Sequence, residues 1–180
     1  MRSSRLLTVC AAAALAPALG ACGSGSSSGP TKKQYVAKAD AICNAAAAKT
    51  APLISRVAAA GPALASGSPK TAREIAPALK QVYEEGAASL AELQALKQPD
   101  GDKKAIEGFV SPLTNVVAAD SQAYSSLSAG QASAALGLLA KVQADAQRVT
   151  SAAQAFGVAP CGRVGELIGA NLSVLSGLPR

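Results

Sequence analysis

The sequence predicts an all-α fold, an up-down four-helix bundle with room for a short fifth helix at the C-terminus. Three observations lead there. Apolar residues recur every three or four positions in four long segments, and no alternating stretch reads as a strand. Those segments are separated by breaks rich in Gly, Pro and Asp. From Cys22 onward the chain holds 36 alanines but only five aromatic residues: Tyr35, Tyr83, Phe109, Tyr124 and Phe156. Alanine lets helices approach closely yet buries little area, so the expected core is thin.

The first helical stripe is Tyr35, Val36, Ala39, Ile42, Cys43 and Ala46, with Lys33, Lys38, Asp40 and Lys49 largely on other faces. Pro52 is expected to kink or end this helix, and Gly61 to Pro69 reads as a loop. The second helix is expected to begin at or just before Thr71, where Thr71-Ala-Arg-Glu74 fits a capping box. Its stripe is Ile75, Leu79, Val82, Gly86, Leu90, Leu93 and Leu96. Gln98-Pro99-Asp100-Gly101-Asp102 is a turn, with Asp102 placed to cap the third helix. That helix shows Ile106, Phe109, Val110, Leu113, Val116, Val117, Asp120, Tyr124 and Leu127. Gly130 breaks the chain before a fourth stripe of Leu136, Leu139, Val142, Ala146, Val149, Ala153 and Phe156. The tail from Arg163, with Val164, Leu167, Ile168, Leu172 and Leu175, supplies the short fifth helix.

The N-terminus reads as an export signal. Arg2 and Arg5 form a basic start, and Leu6 to Leu19 is apolar except for Thr8 and Pro17. Its 14 residues fall short of the roughly 20 needed to span a bilayer. It closes on Leu19-Gly20-Ala21-Cys22, a lipobox, in which the Cys22 thiol takes a diacylglyceryl group and becomes the mature N-terminus. Two acyl chains give stable anchoring, since each buried methylene contributes about 0.8 kcal/mol and one chain alone is marginal. An ordinary signal peptide with Cys22 as a stray thiol is the alternative. The expected organisation is a signal peptide over 1–21, the lipidated cysteine and a Gly/Ser tether over 22–30, and a helical domain over 31–180. The tether, Gly23 to Gly29, has an r.m.s. reach of roughly 15 Å.

Cys10 leaves with the leader, so Cys43 and Cys161 are the cysteines of the body. In an up-down bundle the fourth helix ends near the start of the first, and the chain after Gly157 then folds back to bring Cys161 to Cys43. A disulfide is the expected state in an exported chain, and two free buried thiols are the alternative.

Composition also limits the chemistry. The chain has no histidine, so it lacks the usual general base near neutral pH. It contains no Ser-x-x-Lys, phosphate loop or Cys-x-x-Cys, and its one methionine is Met1. The expectation is therefore no enzymatic activity, no cofactor and no metal site. Glu84-Glu85 read as solvated neighbours, and Asp100 and Asp102 as turn and cap residues rather than calcium ligands. Basic residues are scattered without a stripe or stacking aromatics, so nucleic acid is not an expected partner. Weak attraction of Lys32 and Lys33 to anionic lipid or wall polymer is one reading of that pair, and a solvated helix start is the other.

One ligand-binding reading survives. Pro52, Pro77 and Pro112 sit in or beside helical segments, and bent helices can leave a pocket. Asp120 falls on an apolar stripe, where a carboxylate needs a partner such as Tyr83 or Tyr124. The favoured account is plainer: Asp120 faces the edge of the stripe and the prolines mark helix ends.

Three short motifs carry a resemblance. Tyr35-Val-Ala-Lys-Ala-Asp-Ala-Ile-Cys43, Leu93-Gln-Ala-Leu96-Lys-Gln-Pro99-Asp-Gly101-Asp102 and Phe156-Gly-Val-Ala-Pro-Cys161-Gly162 resemble an uncharacterised, alanine-rich lipoprotein family of high-GC Gram-positive bacteria. The resemblance spans about Lys33 to Gly162. It implies a secreted helical bundle with paired cysteines and brings no established activity. The functional expectation is a lipid-anchored module at the outer face of the cell membrane that engages an envelope protein or wall polymer. A carrier or sensor of a small apolar ligand held between kinked helices is the alternative.

Overall fold

The computed structural model describes residues 29–176. The leader, Cys22 and most of the Gly/Ser tether lie outside the described residues, as do the last four positions of the helical domain. Among the described residues there are six helices and no strand: α1 (Lys32–Ala59), α2 (Gly61–Ala65), α3 (Pro69–Ala95), α4 (Lys103–Ser128), α5 (Ala132–Phe156) and α6 (Ala159–Ser176). The all-α bundle expected from periodicity is what forms. Helices α1, α3, α4 and α5 run alternately up and down, and α2 is a single turn inside the segment that the sequence reads as a loop.

Local signals explain the helix ends, with two corrections. Thr31 caps α1: its hydroxyl accepts from the Gln34 amide at 3.3 Å, while the Gln34 side chain accepts from the Thr31 amide at 2.9 Å. Helix α3 starts earlier than its expected box at Thr71. Ser68 is the cap, accepting from the Thr71 amide at 3.2 Å, and Pro69 takes the first helical position. Proline suits that position because its missing N–H is surplus there. Asp102 stands at the α4 cap position, but its side chain accepts no capping hydrogen bond. Gly157 ends α5 with φ at 101°, a left-handed conformation that glycine adopts without Cβ strain.

The prolines do not end helices. Pro52, Pro77 and Pro112 all lie inside continuous helices. Each removes one backbone hydrogen bond. Pro52 and Pro77 sit on exposed faces, whereas Pro112 is buried.

The larger departure is α6. It is 18 residues long, begins before Arg163, and inserts between α5 and α1, packing on both. Five long helices therefore close a ring in the order α1, α3, α4, α5, α6. Cys161, at the start of α6, is joined to Cys43 of α1 by a disulfide with a Cα separation of 5.0 Å. The bond links positions 118 apart in sequence, which the chain-entropy account values at about 5 kcal/mol. Beside it, Arg163 donates to the Asn44 side-chain oxygen at 3.1 Å.

The other edge of α6 rests on α5 through small and polar groups. The Thr150 hydroxyl lies 3.0 Å from the carbonyls of both Ala146 and Gly162. Gln154 donates to Glu166 at 2.7 Å. Gly165 lies tight against α5: a methyl group there would fall 2.3 Å from the Thr150 hydroxyl and 2.5 Å from the Ala146 carbonyl.

Inside the ring the core divides by length of the bundle. One end is aromatic, with Tyr35, Phe109 and Phe156 packed at ring separations of 5.9 and 6.0 Å around the disulfide. The other is aliphatic, built from Ile54, Val57, Leu64, Leu79, Val116, Leu127, Leu139 and many alanines. Gly165→Val should lower stability by roughly 1–3 kcal/mol through overpacking of the α5–α6 contact. Chemical denaturation with the disulfide intact measures it, and an unchanged midpoint would refute the close approach.

Candidate functional site

Asp120 is the polar group that the bundle places most unexpectedly. Helix α4 buries Ile106, Phe109, Pro112, Val116, Asp120, Ala123 and Leu127, a spacing of three and four that keeps one face inward. Asp120 lies on that seam rather than at its edge, with 7% of its surface exposed. No described side chain or backbone group gives its carboxylate a hydrogen bond. Burial alone pushes its pKa up to about 7, because a charge in a poorly hydrated interior is disfavoured and protonation removes it.

The expected tyrosine partners do not reach it. Tyr83 and Tyr124 pack on each other, ring centroids 5.6 Å apart and planes tilted by 34°, and neither hydrogen bonds to Asp120. Tyr124 lines an open cleft of about 260 Å³ with Arg73, Ala76, Pro77, Lys80 and Ser128, which includes neither Asp120 nor Tyr83. The three residues singled out from the sequence are neighbours on α3 and α4 but share no described cavity.

Sequence reasoning missed a wide opening on the body. An exposed groove of about 900 Å³ runs between α4 and α5, with Glu107, Gly108, Ser111, Pro112, Asn115 and Arg148 among its lining residues. It exists because the facing positions are small, so the helix backbones approach without filling the space above them. Pro112 adds to its polarity: without an N–H, it leaves the Gly108 carbonyl of the preceding turn without its helical donor. On the α5 side Arg148 pairs with Asp145 at 3.0 Å. The groove mixes polar and apolar surface, has no aromatic residue in its lining and is open to solvent, features that suit a protein or polymer surface better than an enclosed apolar ligand. Its only trace in the sequence is the run of small residues, which has many other uses.

The aromatic end holds two further polar atoms without partners. The Tyr35 hydroxyl is buried and unbonded, as is Oδ1 of Asp40. Burial raises both pKa values, although for Asp40 the nearby Arg163 charge pulls the other way. Among the described residues no three His, Cys, Asp or Glu side chains gather where a metal ion would bind. Other ion pairs lie on the surface, such as Lys49–Glu85 at 2.8 Å between α1 and α3 and Lys80–Glu84 along α3. Such exposed pairs contribute about 0–1 kcal/mol.

Compared with family models, curated proteins and solved structures, the chain matches none. Its own chemistry is then the guide, and Asp120 has a measurable consequence. The folded carboxyl titrates near 7 and the unfolded one near 3.8. Between those values the folded state holds a proton that the unfolded state has lost. Asp120 therefore favours folding least above pH 7, and its penalty disappears as the pH falls toward 4. The full penalty is on the order of 4 kcal/mol. Asp120→Asn should be more stable than the parent at pH 8 and nearly equal to it at pH 4, measured by urea denaturation across that range. A difference independent of pH would contradict the buried, unpartnered carboxyl.

Proposed function

We propose that the chain is an extracytoplasmic lipoprotein, anchored at the outer face of the cell membrane through a diacylglyceryl group on Cys22. Its helical body works as a binding module for an envelope protein or wall polymer. The observation that carries this reading is the disulfide between Cys43 and Cys161. Such bonds persist in oxidising compartments outside the cytosol, so the pair argues for export independently of the leader. No helix among the described residues is long and apolar enough to cross a membrane, and the lipid supplies the anchor in this reading.

The α4–α5 groove supports a binding role, since its lining includes carboxylate, amide, hydroxyl and guanidinium groups. The reading assigns no catalytic step, cofactor, metal or nucleic acid. A carrier of a small apolar ligand is less well supported, because Asp120, Tyr83 and Tyr124 share none of the described cavities.

The anchor is tested by metabolic labelling with a fatty acid. The parent chain should carry label, sediment with membranes and be open to protease added outside the cell. Cys22→Ala should lose the label completely. Persistent acylation in that variant, or recovery of the parent chain from the cytosol with residues 1–21 attached, would overturn the proposal.

A further inference from the structure

The bundle distributes its charge unevenly along its length. The N-termini of α1, α4 and α6 and the 96–102 connection meet at one end, which is where the tether enters. A methyl group built on Gly29 would touch the Asp100 carboxylate at 3.5 Å, so the incoming chain lies against that connection. Lys32 is at the same end, its ammonium 4.4 Å from the centre of the Phe156 ring where α5 finishes.

Five exposed lysines collect there: Lys32 and Lys33 in the first turn of α1, Lys103 and Lys104 in the first turn of α4, and Lys97 between α3 and α4. Asp100 and Asp102 are the acidic residues among them. Elsewhere in residues 29–176, nine basic and nine acidic residues balance. The whole excess of +3 on the described body therefore sits at the tether end.

Helix stability does not explain this placement. The positive end of a helix dipole disfavours cations, yet neither α1 nor α4 has an acidic residue in its first turn, and both open on a lysine pair.

From this we propose that the tether end is a docking face for an anionic lipid surface. The proposal rests on the anchored reading above and says which face of the body meets the bilayer. Length decides the occupant. Helix α1 has 28 residues and is about 42 Å long, whereas the tether reaches roughly 15 Å. Charges in physiological salt are screened beyond about 8 Å. An anchor at Cys22 therefore lets this end come down onto the headgroups and leaves the far end outside their field. The α4–α5 groove, on the side of the bundle, stays free for another partner.

The test uses the purified full-length lipoprotein on two kinds of vesicle, one of phosphatidylcholine alone and one about a third phosphatidylglycerol. Amide hydrogen exchange is followed at 31–36 and 96–104. On anionic vesicles exchange there should slow about tenfold or more relative to zwitterionic ones, and recover in roughly half-molar salt. A variant with Lys32→Gln, Lys33→Gln, Lys103→Gln and Lys104→Gln should lose that protection. A control with Arg56→Gln, Lys70→Gln, Arg73→Gln and Lys141→Gln removes the same charge elsewhere and should keep it.

Equal exchange on both vesicles overturns the docking face, as does loss in the control or protection that needs added envelope protein. Flotation with zwitterionic vesicles reads the anchor separately. If the chain does not float, the anchor reading fails. The face is then judged by cosedimentation with anionic vesicles, which the four lysine substitutions should weaken about tenfold and the control should not.

Discussion

Closure of the ring by α6 is the constraint on which the rest of the molecule depends. Four alternating helices rich in alanine bury little area per residue, and a ring with one side open would expose its thin core. Helix α6 covers that side, held to α1 by the Cys43–Cys161 disulfide and to α5 by the close contact at Gly165. The two attachments differ in kind. The disulfide restricts the unfolded chain, while the glycine contact gains dispersion between backbones that a side chain would hold apart. The aromatic cluster of Tyr35, Phe109 and Phe156 lies beside the same bond, so aromatic packing and the covalent link stabilise one end together.

That end is also where the tether enters, and this concentrates the proposed functions. The start of α1, which follows the tether, carries both the disulfide and the aromatic cluster. The excess of positive charge lies on the outer surface of this end, and the open groove runs along the neighbouring α4–α5 wall. Under the proposed anchoring, the sides of such a body would stay free above the membrane, an arrangement suited to binding other envelope components.

Much of the fold was legible because helical periodicity survives even in an alanine-rich chain. The stripes through Ile75, Leu79 and Val82, through Ile106, Phe109 and Val116, and through Leu139, Val142 and Val149 are the buried faces of α3, α4 and α5. The cysteine pairing followed from the alternation of helix directions. The extent of α6 was not legible, because Pro160, Gly162 and Gly165 read as breakers by propensity. In the folded chain Gly165 is what permits the approach to α5, so packing overrides propensity there. Pro52 and Pro77 misled for a related reason, since a proline on a solvated face costs a helix one bond without ending it.

Asp120 shows the opposite limit. Its position on the stripe was clear, but the cost of burying a charge argued for the edge. Protonation removes most of that cost, and the group sits on the seam with a pKa near 7. No pattern in one chain states whether a carboxyl will pair, reach water or take a proton. The central claim, that an oxidised link closes the ring, is tested most directly on protein isolated from its native envelope without reductant. After alkylation and trypsin digestion, the fragments Ala39–Lys49 and Val149–Arg163 should appear as one disulfide-joined species. Recovery of both fragments separately, each alkylated at its cysteine, would contradict it.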